Sequence, residues 1–173
     1  MNPFLGEVIG TALLILLGNG VVANVVLKET KGNSSGWIVI AWGWAMAVFV
    51  AVFTVAAFSG AHLNPAVSVG LAIAGKFEWA RVPMYVVAQF LGAAIGAALV
   101  WLVYRPHFAV TEDQNLKLAV FCTGPGIRDT PSNLISEIVG AFVLVFAVLF
   151  LAVSVFGLGA LDAPCHHCIG ARQ

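Results

Sequence analysis

Between Lys31 and Lys76 the chain carries no Asp, Glu, Lys or Arg. That run is about twice the ~20 apolar residues a helix needs to cross a bilayer core of roughly 30 Å. More than one membrane element must therefore fit inside it, with a break between them. The break is Ser59-Gly60-Ala61-His62-Leu63-Asn64-Pro65-Ala66-Val67. Asn is a favoured N-cap and Pro is favoured at the first helical position, so a helix is expected to start at Asn64. Ser59 to His62 is too small and too polar to continue the preceding apolar helix. Irregular backbone at membrane depth persists only where protein buries it or where it lines a watery cavity. The segment from Pro65 to about Gly75 would rise roughly 16–18 Å at helical pitch, about half a bilayer core. Such a half-helix brings its positive dipole end and its free N–H groups to the membrane middle.

The rest of the chain agrees with a membrane solvent. Of its 173 residues, 61% are hydrophobic and 9% charged, against about 25% charged in soluble domains. An all-α integral membrane protein of the cell membrane is expected, with lipid around it. The formal net charge is zero and Lys and Arg form no cluster, which argues against nucleic acid as a partner. Cys122, Cys165 and Cys168 do not make a disulfide framework. No basic segment precedes the first apolar run, which reads as a retained span and not as a signal peptide. Charge-free intervals predict four spans, at about 4–27, 37–58, 82–104 and 132–156. The first carries Gly6, Gly10, Gly18 and Gly20, spaced for close helix approach. Lys76 to Arg81 reads as an interfacial turn and Pro106 to Pro131 as a polar loop. Lys28 and Lys31 nearly balance Lys76 and Arg81, so charge does not orient the chain.

An internal repeat is visible. Glu7-Val-Ile-Gly10-Thr11 and Glu137-Ile-Val-Gly140-Ala141 each open an apolar run with the pattern Glu, two apolar residues, Gly and a small residue. With three spans between the two starts, the second copy enters from the opposite face. Inverted repeats that each bring a broken helix to the midplane are a transporter plan.

The nine residues Ser59 to Val67, in this apolar setting, resemble the first signature loop of the aquaporin and glycerol-facilitator family, the major intrinsic proteins. The resemblance implies an aquaporin-like inverted-repeat helical bundle with a cytoplasmic N-terminus. It covers roughly residues 2–162, the first repeat and the opening helix of the second. Residues 1–163 are thus expected to form a partial channel domain of four membrane-spanning helices and one re-entrant half-helix at about 64–75. The second repeat is incomplete: the interval from Glu7 to Asn64, counted again from Glu137, runs past Gln173. Residues 164–173 change composition abruptly and read as an aberrant tail, most simply a frameshift or premature stop. Cys165-His166-His167-Cys168 within it contains zinc-type ligands, but four adjacent residues do not turn easily onto one tetrahedral ion. No metal and no cofactor is expected.

The family pattern places roles on residues of this chain. Asn64 is expected to cap the half-helix through its side-chain oxygen and to offer its amide N–H to a passing hydroxyl, with Pro65 and Ala66 beside it. Gly60, Ala61 and His62 would supply backbone carbonyls as a ladder of acceptors; His62 alone would equally suit a satisfied core histidine. Trp44 lies twenty residues before Asn64, as the wide-end filter aromatic does in glycerol facilitators, and its face would give a polyol an apolar wall. Trp42 must face elsewhere on the same helix. Glu7 and Glu137 are carboxylates within apolar spans, which is expensive unless they are held. The resemblance gives them, with Gln89, the role of supporting irregular loops; a proton relay is the alternative for the glutamates.

The expected function is passive conduction of water or small neutral polyols such as glycerol, without covalent chemistry. Half a pore leaves Asn64 and Glu137 without partners, so the chain by itself is not expected to conduct. The alternative is a non-conducting subunit that associates with full-length relatives. An intramembrane hydrolase is disfavoured because no nucleophile and base converge at one depth. The resemblance also implies a homotetramer.

Overall fold

The computed structural model describes residues 1–155, and side-chain environments as far as residue 150. The tail at 164–173, with Cys165 to Cys168, lies outside the described residues. Among those described, all regular structure is helical: α1 (Pro3–Val26), α2 (Trp37–Ser59), α3 (Pro65–Ile73), a 3-10 turn at Trp79–Arg81, α4 (Val82–Val103), α5 (Arg105–Val110), α6 (Gln114–Ala119) and α7 (Thr130–Val155). Four stretches are long and apolar enough to cross a membrane: Pro3–Val26, Trp37–Ser59, Trp79–Val103 and Thr130–Phe150. The chain is an integral membrane protein.

Local chemistry explains the helix starts. Asn2 caps α1 by accepting from the Leu5 amide at 2.8 Å, with Pro3 at the first position. Asn64 and Pro65 repeat the device at α3, where the Asn64 side chain accepts from the Ala66 amide at 2.8 Å. α3 is shorter than the expected 64–75. It stops at Ile73 because Gly75 turns the chain at φ +70°, a left-handed conformation that glycine adopts without strain. Nine residues then rise only about 14 Å.

Tertiary packing centres on α1, which lies against α2 on one side and α4 on the other. Lipid offers little hydrophobic drive to bring helices together, so close van der Waals fit must do it. Gly6, Gly10 and Gly18 of α1 face Ser59, Val55 with Leu63, and the Trp44 ring. Gly20, read from spacing as part of the same seam, has open space beside it. From the other side, Gly92 and Gly96 of α4 press onto the α1 backbone.

The segment 106–131 is not a plain polar loop. It holds α5 and α6, and Val120 sinks into a buried cluster with Ala23, Leu27 and Val100. Thr111 ties this segment back to the end of α1, accepting from the Lys28 amide at 2.9 Å. The last long helix, α7, packs chiefly on α3, where Val145 lies against Gly70, and leaves Leu134, Ile138 and Phe142 exposed.

Candidate functional site

The end of α2 and the start of α3 do not meet as a continuous helix. Gly60, Ala61 and Leu63 all have positive φ, at +80°, +52° and +52°. The two non-glycine residues are held in a region L side chains rarely adopt, which persists only when surroundings over-determine it. The surroundings do so through the amide groups. Ser59 Oγ accepts from the Ala61 N–H at 3.1 Å. Glu7 Oε1 accepts from the His62 N–H at 3.0 Å, and Glu7 Oε2 from the Leu63 N–H at 2.8 Å. The amides of Ala61, His62 and Leu63 are thus taken by side chains and that of Gly60 by the Ala56 carbonyl, whereas the carbonyls of Gly60, Ala61 and His62 accept no hydrogen bond from the described residues.

Glu7 is 0% exposed, and its third donor is Gln89, whose Nε2 lies 2.8 Å from Glu7 Oε2. The structure therefore brings Glu7 of α1, Gln89 of α4 and the loop at His62–Leu63 together. Gln89 also donates to Ser68 Oγ at 3.1 Å, and Ser68 lies 3.0 Å from His62 Nδ1. The His62 ring is 8% exposed and sits against Phe77 and Tyr85, with centroids 4.5 and 4.7 Å away. Tyr85 donates its hydroxyl to the Ser59 carbonyl at 2.8 Å, closing α2 onto α4. Arg81 lies over the Phe77 ring, 5.2 Å from its centroid, and donates to Tyr85 Oη at 3.3 Å.

Sequence reasoning passed over Ser68, Ser59, Tyr85 and Arg81. A signal was present: Arg81, at the N-cap of α4, and Tyr85 and Gln89 within it recur at intervals of four and so lie along one face. Ser68 likewise stands four residues after Asn64, on the buried side of α3.

The remaining candidates are placed as follows. Trp44 is half-buried, its ring laid on Gly18 of α1, while Trp42 points out at 67% exposure. A Cβ at Gly18 would fall 2.5 Å from Trp44 Cε3, so Gly18→Ala is expected to push the indole off α1. A change in Trp44 fluorescence in a variant lacking the other tryptophans would report it; an unchanged spectrum would mean that the ring is not seated on Gly18. Glu137 is exposed and its side chain makes no hydrogen bond among the described residues. It lines a cleft of about 380 Å³ together with Asn64, Ala66, Ser136, Gly140 and Leu144. A second space of about 320 Å³ also borders Glu137 and is lined by Thr123, Gly126 and Asn133. No group of His, Cys, Asp and Glu among the described residues could hold a metal ion.

The chain is thus a helical membrane bundle with a broken, side-chain-clamped half-helix within it. Residues 1–157 match the family described as Major intrinsic protein, and the chain belongs to it. It is 56% identical over 149 residues to the probable glycerol uptake facilitator protein of Thermotoga maritima, covering 86% of this chain and 64% of that one. It is 56% identical over 159 residues to the glycerol uptake facilitator protein of Streptococcus pneumoniae, covering 92% of this chain and 68% of that one. The X-ray structure of the aquaglyceroporin from Plasmodium falciparum superposes with TM-score 0.58 at 41% identity, over 62% of this chain and 43% of that one. The chain thus spans about two thirds of the length of these curated relatives.

Proposed function

We propose that this chain forms part of a passive channel for small neutral polyols such as glycerol, and for water. The observation that carries the reading is the junction at Asn64, where a short capped helix follows a turn whose donors are all held and whose carbonyls are free. A hydroxyl both donates and accepts, so it can exchange water for the Gly60, Ala61 and His62 carbonyls and the Asn64 amide N–H with little net loss. The positive end of α3 beside it disfavours cations. Pro65 and Ala66 keep the helix start narrow, and Trp44 offers an apolar wall to the carbon side of a polyol. Glu7 and Gln89 support the loop; Glu137 would do the same for a second loop across the cleft it shares with Asn64. No bond is made or broken and no cofactor is required. Assembly as a homotetramer in the cell membrane follows the family plan, with residues 1–163 as the channel-forming part. The similarity to the glycerol uptake facilitators of Thermotoga and Streptococcus supports glycerol as the solute.

The test is a chimera in which residues 1–155 replace the matching part of the Streptococcus pneumoniae relative, reconstituted in liposomes. Glycerol-driven swelling well above empty liposomes is expected, and its loss on Asn64→Leu. A chimera that inserts and folds but swells no faster than lipid alone would refute the reading. The exposed apolar side of α7, with Glu137 unbonded among the described residues, favours a second reading: the chain by itself is a non-conducting subunit of a full-length relative. Silent liposomes of this chain, together with its co-purification with that relative, would establish it.

A further inference from the structure

We propose that the buried series Glu7, Gln89, Ser68 and His62 fixes which ring nitrogen of His62 carries the proton. It makes His62 Nε2–H a donor for a small hydroxylated solute, beside carbonyls that only accept. The proton placement stands on hydrogen bonding alone; its use by a solute rests on the channel reading.

The order of donors begins at Glu7. A carboxylate only accepts, so the Gln89 atom 2.8 Å from Glu7 Oε2 must be the NH₂ end. The flipped amide would set two oxygens against each other. This orientation leaves Gln89 Oε1 buried without a partner, a cost that the contact with Glu7 imposes. The second N–H of the same group lies 3.1 Å from Ser68 Oγ. Ser68 is 0% exposed, and its hydroxyl has a single proton to give. Two acceptors are in reach, His62 Nδ1 at 3.0 Å and the Asn64 carbonyl at 3.4 Å. That carbonyl already accepts the Ser68 amide at 3.1 Å. Nδ1 is the nearer of the two and has no other hydrogen-bond partner among the described residues, and in the proposal it takes the Ser68 proton. A neutral imidazole that accepts at Nδ1 must carry its proton on Nε2.

The Nε2 edge looks toward the loop. A Cβ built on Gly60 would lie 3.8 Å from both Nε2 and Cδ2 of His62, and Gly60 itself is exposed. Glycine there leaves the approach to Nε2 open. A hydroxyl at this point finds one donor next to the free carbonyls of Gly60 and Ala61. Ser68 is thus a positioning residue: it meets no solute, and it acts through His62.

The experiment is ¹⁵N correlation spectroscopy of the whole chain in lipid nanodiscs, with labelled histidine, at mildly alkaline pH. The His62 signals are assigned by their loss in His62→Asn. The expected result is a protonated Nε2 and a bare, hydrogen-bonded Nδ1. Ser68→Ala should shift the Nδ1 resonance and raise the Nδ1–H form by about five-fold, the factor an ordinary hydrogen bond sets. Gln89→Met should also raise the Nδ1–H form, because Ser68, no longer accepting from Gln89, becomes free to accept from the ring. A wild-type His62 protonated on Nδ1, or ring nitrogens unmoved by Ser68→Ala, would overturn the proposal. Glycerol flux through the matching chimera is read separately. A fixed Nε2–H with no flux defeats the channel reading and leaves the proton placement standing; flux without the fixed proton does the reverse.

Discussion

Glu7→Ala is expected to abolish the folded state in detergent, and Glu7→Gln to retain only a fraction of it. Three donors point at this one carboxylate, the amides of His62 and Leu63 and the Gln89 side chain, at 2.8–3.0 Å. Leaving a buried donor unpaired costs about 1–3 kcal/mol, and bonds to charged groups lie at the upper end. Alanine strands all three and opens a void as well, which is comparable to the whole margin of about 5–15 kcal/mol by which a typical protein stays folded. Glutamine keeps one oxygen and turns an NH₂ toward at least one of the three donors, so its loss should fall between. The loss should be largest locally, because Leu63 relaxes from positive φ once its amide and that of His62 are free. Size-exclusion profiles and thermal unfolding of the purified variants measure this directly. Full stability of Glu7→Gln would show that the clamp is dispensable. If flux through the chimera then lost its pH dependence, Glu7 would be a proton relay and not a support.

Which of these features the sequence alone can show depends on how local each one is. The spans were legible because charge is excluded from lipid wherever the partner helix sits: the expected bounds 4–27, 37–58, 82–104 and 132–156 fall within about two residues of the long helices. Asn64 and Pro65 were legible for a similar reason, since a cap and a fixed φ act within one turn. α5 and α6 were not, because six residues are too few to show a helical period, and they are held by distant contacts such as Thr111 to Lys28. The partners of Glu7 were equally hidden. Apolar context says that a carboxylate there must be held, but nothing near residue 7 names residues 62, 63 and 89 as its holders. That pairing was expected only through the family resemblance. Ser68 was missed because a small hydroxyl residue one turn into a short helix looks like any other apolar-helix serine. Gly20 shows the converse error: glycine spacing predicts a seam without saying which helix face has a neighbour.

Gly96→Ala and Gly20→Ala are the same substitution in adjacent helices, and they are expected to have opposite signs. A Cβ at Gly96 would stand 2.6 Å from the Ala12 carbonyl oxygen, 2.9 Å from Ile15 Cβ and 3.1 Å from the Leu16 amide nitrogen. Two of those three neighbours are backbone, which no rotamer change can move. α4 must then back away from α1, and the separation also loosens Gly92, which presses on the Val8 carbonyl one turn earlier. Overpacking of this kind costs about 1–3 kcal/mol. Here it also draws Gln89 away from Glu7, so the loop at His62 is weakened from a distance. At Gly20 an added methyl meets nothing within 4 Å, and the helix gains about 0.5–1 kcal/mol from the lower backbone entropy of alanine. Thermal unfolding of both variants in one detergent would compare them. A Gly96→Ala protein as stable as the wild type would mean that the α1–α4 seam is looser than described. Destabilisation by Gly20→Ala would mean that another helix covers that face in the assembled protein.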